Sequence, residues 1–241
     1  MTITIITVVK NNKEDLELTL KSLFSQTYKK FQYIIFDGLS KDGIESVINK
    51  YKRKNIKYIR QRDKNYYDGL NQAIKIAKGD YIGILNAGDL YYDKDVLRVV
   101  ADKLITTKCD LLFANLKYYK LKKIYTRIWK FPILRLTKLS ALKIASPTLF
   151  IKKTILKSTP YNIKYNISSD TDFNLRISSQ NYQFFYLNKF IVSMKQGGLS
   201  TQYSLFFKKM LQDFSILKKH FGLFFIAVYA YKIIFKIKSF K

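Results

Sequence analysis

Short apolar runs alternate with helical repeats along the first 90 residues of the chain. The runs are rich in β-branched and aromatic residues. Each is followed by apolar residues three or four positions apart, the spacing of an amphipathic helix. The runs cover residues 2–9, 31–36, 56–59 and 81–85, and the helical stretches cover residues 14–24, 44–51 and 69–77. Strands that alternate with helices are typical of an α/β protein with a mainly parallel sheet flanked by helices.

The pattern beyond residue 90 predicts further elements with less regular spacing. We expect helices at 95–104, 152–157 and 171–178, strands at 111–115, 146–151 and 184–192, and a basic, aromatic hairpin or loop at 116–130. Ser168 or Ser169 is suited to cap the helix at 171–178, because a serine hydroxyl accepts hydrogen bonds from first-turn N–H groups. No low-complexity linker interrupts residues 1–203, which are predicted to form one domain.

Polar loops follow three of the predicted strands. They are Lys10-Asn11, Asp37 to Asp42, and Asn86 to Asp89. Parallel strands place their carboxyl ends on one edge of a sheet, which is where open α/β sheets bind ligands. An Asp in such a loop commonly bonds only its own backbone, but three converging loops favour a binding site. Asp89 follows the fourth strand and is the central candidate in that site.

Charge narrows the class of partner. Lys and Arg total 44 against 17 acidic residues, a formal net charge of +27. This balance predicts polyanionic partners, namely nucleic acid, anionic lipid or phosphorylated substrates, although an AT-rich genome would also enrich Lys, Ile, Asn and Tyr. One cysteine, Cys109, excludes an intramolecular disulfide and a zinc site built from cysteines. The start of the chain lacks the basic and small-residue pattern of a signal peptide.

Four segments in chain order carry a resemblance. They are residues 5–12 with 20–28, the Asp-Gly-x-Ser-x-Asp-Gly loop within 33–43, residues 63–71 running into 79–81 and 85–89, and residues 168–176. The ordered set resembles family 2 glycosyltransferases with the GT-A fold, of the kind found in bacterial polysaccharide gene clusters. The resemblance implies a sheet that binds a nucleotide-sugar donor and an active site at its edge.

The resemblance also implies which residues hold the donor. The end of the first strand (Thr7, Val9 and Asn11) and Asp37 would hold the base and ribose. Asp68 matches a polar position facing the donor, Asn86 could ligate a metal there through its carbonyl oxygen, and Arg62 or Lys64 could neutralise phosphate. These expected donor-binding residues are Thr7, Val9, Asn11, Asp37, Arg62, Lys64, Asp68 and Asn86. The alternatives are that Asp37 is only a turn residue and that the two basic side chains are only solvated.

A divalent cation, Mn²⁺ or Mg²⁺, is the cofactor that the resemblance implies. In the family an Asp-x-Asp motif binds the cation, which bridges the diphosphate oxygens. Here Asn86 and Gly88 stand where relatives often have acids, which leaves Asp89 as the carboxylate of the motif. Mg²⁺ sites commonly combine one or two carboxylates with substrate phosphates. We therefore expect Asp89 to ligate the metal, with weaker affinity than in relatives.

Asp170 matches the catalytic base of the family. Inverting transfer needs a carboxylate that deprotonates the acceptor hydroxyl as it attacks the anomeric carbon. Asp170 lies at a predicted helix start, where the helix dipole favours the ionised form; the alternative is an acid that serves only the helix. Asp172 is expected to be a supporting structural partner. Relatives often carry His where this chain has Ala145-Ser146-Pro147, and His220 is expected at the surface.

Residues 204–241 form a tail of different composition. Phe, Leu, Ile and Tyr alternate with Lys there, as in basic amphipathic helices that lie in a membrane interface. The longest apolar piece is shorter than the 20 residues or so that span a bilayer. The alternatives are a helix that packs back on the core and a dimer contact. We expect a cytoplasmic protein that is peripheral on the inner face of the cell membrane.

These features together predict an inverting glycosyltransferase. The expected donor is a nucleotide-diphosphate sugar, with UDP as the favoured nucleotide, and the expected acceptor is a hydroxyl of a lipid-linked or growing surface glycan. The alternatives are a degenerate transferase fold retained for binding, suggested by the thinned motif at Asn86 to Asp89, and a basic protein that binds polyanions. Nucleic acid is not an expected partner, because no recognisable nucleic-acid module is present.

Overall fold

The computed structural model describes residues 1–51, 55–120, 124–197 and 203–239. The strands are β1 (Ile3–Val9), β2 (Phe31–Asp37), β3 (Ile56–Arg60), β4 (Tyr81–Ile84), β5 (Leu90–Tyr91), β6 (Leu111–Tyr119), β7 (Tyr125–Trp129), β8 (Phe150–Lys152) and β9 (Phe184–Lys195). The helices are α1 (Lys13–Phe24), α2 (Ile44–Lys50), α3 (Tyr66–Ile76), α4 (Val96–Thr107), α5 (Lys138–Ala141), α6 (Lys153–Ser158), α7 (Ser169–Ser178), α8 (Phe206–Phe221) and α9 (Phe225–Ile237).

The described strands form one sheet in the order β3-β2-β1-β4-β8-β6-β9-β5, and β7 pairs with β6. The first four strands in the chain are parallel, as predicted, with Val9 of β1 opposite Asp37 of β2. The second half of the sheet is mixed, because β8 runs antiparallel to both β4 and β6 while β9 runs parallel to β6. The α/β fold with a largely parallel sheet is therefore confirmed, and its parallel part carries the predicted loops.

Strand β1 shows why the central strands are apolar on both faces. Ile3, Ile5 and Val9 pack in a core with α1, α2 and α4, whereas Ile6 and Val8 point to the opposite core with α3, α6 and α7. Side chains alternate between the faces of a strand, so a strand covered by helices on both faces has no polar face. Each fully buried side chain of this kind stabilises the fold by about 1.5–3 kcal/mol.

Helix α3 begins earlier than the sequence pattern predicts. The prediction started the helix at Gly69, but it begins at Tyr66, because the Asn65 side chain accepts hydrogen bonds from the N–H groups of Tyr67 (3.0 Å) and Asp68 (3.2 Å). Gly69 lies inside the helix, where a Cβ would come within 2.9 Å of the Phe36 ring. The glycine therefore allows the helix to pack closely on the sheet.

Other boundaries also differ from the sequence prediction. The predicted strand at 146–151 is wrong in its first half: Ser146–Thr148 form a single 3₁₀ turn containing Pro147, and the strand is Phe150–Lys152. The predicted hairpin is confirmed, since β6 and β7 are antiparallel, although residues 121–123 lie outside the described residues. Strand β9 continues to Lys195, which brings a side chain from the second half of the chain to the predicted site.

The tail folds as two helices that contact each other and the core. Leu217 of α8 and Val228 of α9 pack in one cluster with Leu175 of α7. The tail therefore packs back on the core, which was one of the two alternatives to a membrane-surface helix. The predicted boundary between residues 203 and 204 stays a prediction, and residues 240–241 lie outside the described residues. The outer surface of the tail is apolar, with Phe206, Phe207, Leu211, Leu223, Phe224, Ile226, Ile234 and Ile237 exposed.

Taken as one helical segment, Phe206–Ile237 is long and apolar enough to cross a membrane by length and composition. The backbone is broken within it, because Gly222 has a φ of 56° and begins a 3₁₀ turn between α8 and α9. The separate helices have 16 and 13 residues, or about 24 and 20 Å. Each is shorter than the hydrocarbon core of a bilayer, which is about 30 Å thick.

Candidate functional site

The first two predicted loops meet at the carboxyl ends of β1 and β2. The N–H of Gly38 donates to the Val9 carbonyl (3.0 Å). Asn11 is exposed with a positive φ of 50°; its N–H donates to Ser40 Oγ (2.8 Å) and its Oδ1 accepts from the Lys41 N–H (2.8 Å). Side chain and backbone thus tie the two loops together, and Asn11 acts in this structure as the connector.

The third loop, Asn86 to Asp89, lies at the end of β4 beside β1. The Leu85 N–H donates to the Ile6 carbonyl (3.0 Å), and the Gly88 N–H donates to the Asp15 carbonyl in α1 (3.1 Å). The Thr19 hydroxyl of α1 donates to the carbonyls of Asn86 (3.1 Å) and Asp89 (3.0 Å). Helix α1 therefore holds this loop at the same sheet edge as the other two loops, as the strand order predicts. The region that the three loops border is called the crevice below.

Thr7 and Val9 are placed inside the sheet rather than on the crevice surface. The Thr7 hydroxyl is fully buried, donates to the Leu85 carbonyl (2.5 Å) and accepts from the Tyr33 hydroxyl (2.8 Å). The Val9 side chain is also buried. These contacts use the Thr7 hydrogen and one of its two lone pairs inside the protein, and contact of this side chain with the sugar donor stays a prediction.

Asp37 is a buried carboxylate with protein partners on both oxygens. Its Oδ1 accepts from the Ser40 N–H (2.8 Å), and its Oδ2 accepts from the Tyr58 hydroxyl (2.8 Å). The Arg60 guanidinium lies 3.6 Å from the same Oδ2. The bond to Ser40 is the local turn contact that was the alternative for this residue. A donor contact stays a prediction, because the carboxylate is not exposed.

The loop before α3 places the predicted basic residues in solvent. Arg62 and Lys64 are exposed, and Asp68 Oδ2 accepts from the Lys64 N–H (2.9 Å) and from Gln72 Nε2 (3.2 Å). Asp68 therefore orders this loop locally. A groove of about 540 Å³ nearby, along β3 and α3, is lined by none of the predicted site residues.

Sequence reasoning did not select Asp63, which the structure brings to the crevice. Its Oδ2 lies so close to Gly38 that a Cβ on that glycine would be 2.5 Å away, and the Lys10 side chain borders the same position. Burial raises the pKa of Asp63, the charge of Lys10 opposes this, and Asp68 and Asp37 add to it. Asp63 was not selected because basic residues flank it in the sequence, although it is the first residue of the third segment that carries the family resemblance.

Asp89 is a nearly completely buried carboxylate at the end of the third loop. Its Oδ1 accepts from the Lys195 N–H (3.0 Å), and its Oδ2 accepts from Asn86 Nδ2 (3.2 Å). Burial raises the pKa of Asp89 to about 7, the two hydrogen bonds oppose the rise, and the charge of Asp15 adds to it. Because a nearby cation favours the charged form of a carboxyl group, binding of a cation would complete the ionisation of Asp89.

The oxygen atoms around Asp89 fit a cation that is coordinated jointly by the protein and by a phosphate group. The described residues contain no group of three or more His, Cys, Asp or Glu that could hold a metal alone. Asn86 offers an amide oxygen, which accepts from the Tyr66 hydroxyl (2.6 Å), while Asp15 is paired with the Lys195 ammonium. One carboxylate and one amide oxygen suit Mg²⁺ or Mn²⁺ only if substrate oxygens complete the shell.

Tyr66 and Lys195 are site residues that the sequence prediction missed. Burial raises the pKa of Tyr66 far above its usual value, and Tyr161, Asp89 and Asp170 add to the rise in that order. The same ring therefore lies within the field of both predicted site carboxylates. The detectable signal was the tandem Tyr66-Tyr67 directly after the Asn65 cap, whereas Lys195 is 106 residues from Asp89 and gave none.

Asp170 lies in the first turn of α7 and is partly exposed. Its Oδ1 accepts from the Thr171 N–H (2.8 Å), and its own N–H donates to the Tyr67 hydroxyl (3.4 Å). The other carboxylate oxygen, Oδ2, has no hydrogen bond or ion pair to any described residue. A partly exposed oxygen without a protein partner is able to accept a proton from a bound hydroxyl.

Asp172 supports the same helix from within. It is fully buried, accepts from Arg176 Nε (2.8 Å) and contacts His220 Nε2 (3.5 Å). The expectation that His220 is a surface residue is wrong: its side chain is 10% exposed and lies against Asp172. Burial lowers the pKa of His220, and the hydrogen bond to Asp172 opposes this. Asp172 thus links α7 to the last turn of α8.

Comparisons with known proteins agree on one family. A family model described as glycosyl transferase family 2 matches residues 4–215. An Escherichia coli protein, UDP-Glc:alpha-D-GlcNAc-diphosphoundecaprenol beta-1,3-glucosyltransferase WfaP, is 31% identical over 169 residues, which are 66% of this chain and 64% of that protein.

Two solved structures share the fold. TarS of S. aureus, residues 1–349 in complex with UDP, superposes with a TM-score of 0.72 at 18% identity, covering 99% of this chain and 70% of that one. The mannosyltransferase PcManGT of Pyrobaculum calidifontis, in complex with GDP-Man and Mn²⁺, superposes with a TM-score of 0.67 at 13% identity, covering 98% of this chain and 73% of that one. At these identities the likeness concerns the fold alone.

Proposed function

We propose that this chain, which belongs to glycosyl transferase family 2 and is a glycosyltransferase, transfers a sugar from a nucleotide-diphosphate donor to a glycan hydroxyl with inversion. The observation that carries the proposal is that the start of α3 contacts the surroundings of two unlike carboxylates. The Tyr66 hydroxyl donates to Asn86, which bonds Asp89, and the Tyr67 hydroxyl accepts from the Asp170 N–H. Asp89 is buried and accepts from the Asn86 amide nitrogen, whereas Asp170 is partly exposed. Transfer needs this division, because leaving group and acceptor require different chemistry.

The donor diphosphate is proposed to lie against Asn86 and Asp89. A divalent cation held there by Asp89 and the diphosphate would stabilise negative charge on the leaving group. Tyr66 fixes the Asn86 amide by donating to its Oδ1, which leaves the amide nitrogen directed at Asp89. Base and ribose are proposed to occupy the joined loops of β1 and β2, near Asn11, Asp37 and Asp63.

Asp170 is proposed as the general base. Its unpartnered oxygen takes the proton of the acceptor hydroxyl while that oxygen attacks the anomeric carbon from the face opposite the departing diphosphate. The bond to the Thr171 N–H holds the carboxylate at the start of α7. Asp172 and Arg176 keep this turn of the helix in position.

The donor nucleotide is proposed to be UDP. The name of the E. coli relative includes UDP-Glc, and the TarS structure contains UDP. The GDP-Man complex of the same fold is the reason to test other nucleotides. The acceptor is proposed to be a lipid-linked or growing surface glycan, since the same relative is named for a diphosphoundecaprenol acceptor.

The proposed location is the cytoplasmic face of the cell membrane. The exposed apolar side chains of α8 and α9 and the exposed lysines of the tail give a surface that suits an anionic bilayer. An enzyme that uses a soluble nucleotide sugar and a lipid-linked acceptor would work at this boundary.

Asp170→Asn tests the proposal. We expect transfer from a UDP-sugar to a lipid-linked GlcNAc-diphosphate acceptor to fall roughly 10²–10⁴-fold, the usual contribution of a general base, while UDP affinity stays unchanged. Asp102→Asn, at an exposed position of α4, is the control and should leave both unchanged. Retained transfer would reject Asp170 as the base, and binding of UDP without transfer by the wild type on any acceptor would favour the degenerate transferase.

A further inference from the structure

Three lysines of the tail converge on the start of α7, beside Asp170. Lys209 of α8 donates through Nζ to Ser168 Oγ (3.2 Å), and Lys232 of α9 donates through Nζ to Thr171 Oγ1 (3.1 Å). Lys236 follows Lys232 by four residues in α9, so the two side chains lie on the same face of the helix. The proposed base therefore has a group of cations next to it, contributed by the tail.

One carboxylate, Asp213 of α8, is shared among these cations. It lies 3.0 Å from Lys232 Nζ and 3.8 Å from Lys209 Nζ, and the three side chains are 4%, 5% and 18% exposed, in the order Asp213, Lys232, Lys209. Burial acts to raise the pKa of Asp213, but the charges of Lys232, Lys209 and Lys236 outweigh it and lower the pKa. Positive charge is therefore in excess at a poorly hydrated place.

Lys236 is the lysine whose positive charge has no partner in this group. It is partly buried, and its ammonium has no hydrogen bond or ion pair with any residue that the structure describes. Burial lowers the pKa of Lys236 to about 7, and the neighbouring charges of Lys232 and Lys209 add to this, while Asp213 and Asp170 oppose it. Proteins rarely bury an ammonium without a partner, so the missing partner is expected to be an anion that binds there.

We propose that Lys209, Lys232 and Lys236 form an anion subsite that takes the phosphate groups of a lipid-linked acceptor, so that the acceptor's first sugar lies at Asp170. This rests on the proposed function and extends it to the acceptor. The subsite differs from the donor site, because the donor diphosphate is assigned to Asn86 and Asp89 on the sheet edge.

The tail helices are suited to such an acceptor in a second way. The same two helices expose Phe206, Phe207, Ile234 and Ile237 on their outer surface, which an isoprenoid chain or the bilayer could cover. Headgroups of ordinary phospholipids would meet the exposed lysines, such as Lys208 and Lys238, before the enclosed ones.

The test is calorimetric titration of farnesyl diphosphate into the full-length protein saturated with UDP. Lys236→Gln should weaken this binding about tenfold, the loss expected for one charge-assisted contact. Lys238→Gln removes the same charge from an exposed position two residues away and should change affinity less than about twofold. Farnesol, which lacks the diphosphate, should not bind at the same concentration.

The remaining arms separate the alternatives. Vesicles of phosphatidylglycerol should bind the wild type and Lys236→Gln equally; a preferential loss in Lys236→Gln would assign the cluster to phospholipid headgroups and overturn the proposal. Equal weakening of farnesyl diphosphate binding by Lys236→Gln and Lys238→Gln, or no weakening by either, would also overturn it. UDP affinity is measured in each variant: its persistence while the farnesyl diphosphate result fails would reject only the acceptor subsite, whereas absent UDP binding would reject the proposed function.

Discussion

Buried charge is stabilised in opposite ways in two regions, the sheet edge and the side of the tail that packs on α7. On the sheet edge, the carboxylates of Asp37 and Asp89 accept hydrogen bonds from backbone N–H groups, a tyrosine hydroxyl and an amide. On the tail side, Lys209, Lys232 and Lys236 face one another with Asp213 as the enclosed acid between them. Each sheet-edge carboxylate thus has protein hydrogen bonds on both oxygens, and Arg60 lies near Asp37, while the tail side keeps an ammonium without a partner among the described residues.

This difference shows which side is held in position without a ligand. Protein hydrogen bonds fix the Asp37 and Asp89 carboxylates at the sheet edge, although burial still raises the pKa of Asp89 to about 7. A partly buried ammonium without a partner costs free energy until an anion arrives. We therefore infer that the ammonium on the tail side lowers the stability of the free protein and strengthens its binding of an anion.

The largest test of this comparison replaces two lysines of the same helix by methionine. Lys232→Met should lower the free energy of unfolding by about 3 kcal/mol, because it removes the closest partner of buried Asp213. Lys236→Met should leave it unchanged or raise it by about 1 kcal/mol at pH 7. The folded-state pKa of Lys236 is lowered to about 7, so its charge disfavours folding most below pH 7 and the effect disappears as pH rises towards 10.5.

Urea unfolding at pH 7 and pH 9.5 measures both effects. Lys238→Met serves as the control, since this lysine is exposed. If Lys236→Met destabilised the protein as much as Lys232→Met, both lysines would be members of a structural ion-pair network, and the contrast between the two sides would be lost.

A smaller effect is expected from Asp89→Asn on the sheet edge. The folded-state pKa of Asp89 is raised to about 7, so the folded state holds its proton where the unfolded state has lost it. Stability contributed by this group is therefore present below pH 4 and declines as pH rises to about 7. The variant should be more stable than the wild type by roughly 1–3 kcal/mol at pH 8 and equal to it near pH 4.

Thermal unfolding from pH 4 to pH 8 measures this difference, with Asp102→Asn as an exposed control. A constant difference between Asp89→Asn and the wild type across this range would mean that burial of the carboxylate does not shift its ionisation. The third loop would then be more hydrated than its buried position indicates.

The smallest effect on stability is expected at the outer surface of the tail. Ile226→Ser in α9 and Ile105→Ser in α4 replace isoleucines that are 65% and 51% exposed, and each should change the free energy of unfolding by less than about 0.5 kcal/mol. Ile226→Ser should nevertheless weaken partition into anionic vesicles roughly fivefold to tenfold, as measured by vesicle sedimentation. Equal partition of both variants would mean that the tail surface does not contact the membrane.

The parallel half of the fold was predictable because its strands are buried on both faces and its helices repeat at 3.6-residue spacing. The start of α3 was not, since Gly69 suggested a boundary and the cap at Asn65 acts through geometry. The strand at 146–151 was overextended because an apolar run containing Pro147 resembles a buried strand. Strand β9 was cut short because its last residues, which end at Lys195, are less apolar.

The site was predictable where it follows the strand order. Asn86, Asp89 and Asp170 stand in motifs or at element ends, so their positions could be inferred from the chain. The role of Thr7 stays a prediction, but its internal hydrogen bonds to Tyr33 of β2 and to Leu85 after β4 could not be inferred from the sequence. The direction of the tail lysines was also hidden: alternation of Lys with apolar residues shows an amphipathic helix, but only the packing of α8 and α9 on α7 selects those that turn inward.

The central claim is a nucleotide-diphosphate donor bound at Asp89 together with a divalent cation. Its most direct test is thermal unfolding of the wild type and Asp89→Ala with UDP, GDP, TDP and CMP, each with and without Mn²⁺ or Mg²⁺. A bound ligand raises the unfolding temperature with the logarithm of its concentration over its dissociation constant. We predict that UDP raises it, that the metal increases the rise, and that Asp89→Ala abolishes the metal-dependent part. No rise with any nucleotide diphosphate, or a metal-dependent rise that Asp89→Ala retains, would contradict the claim.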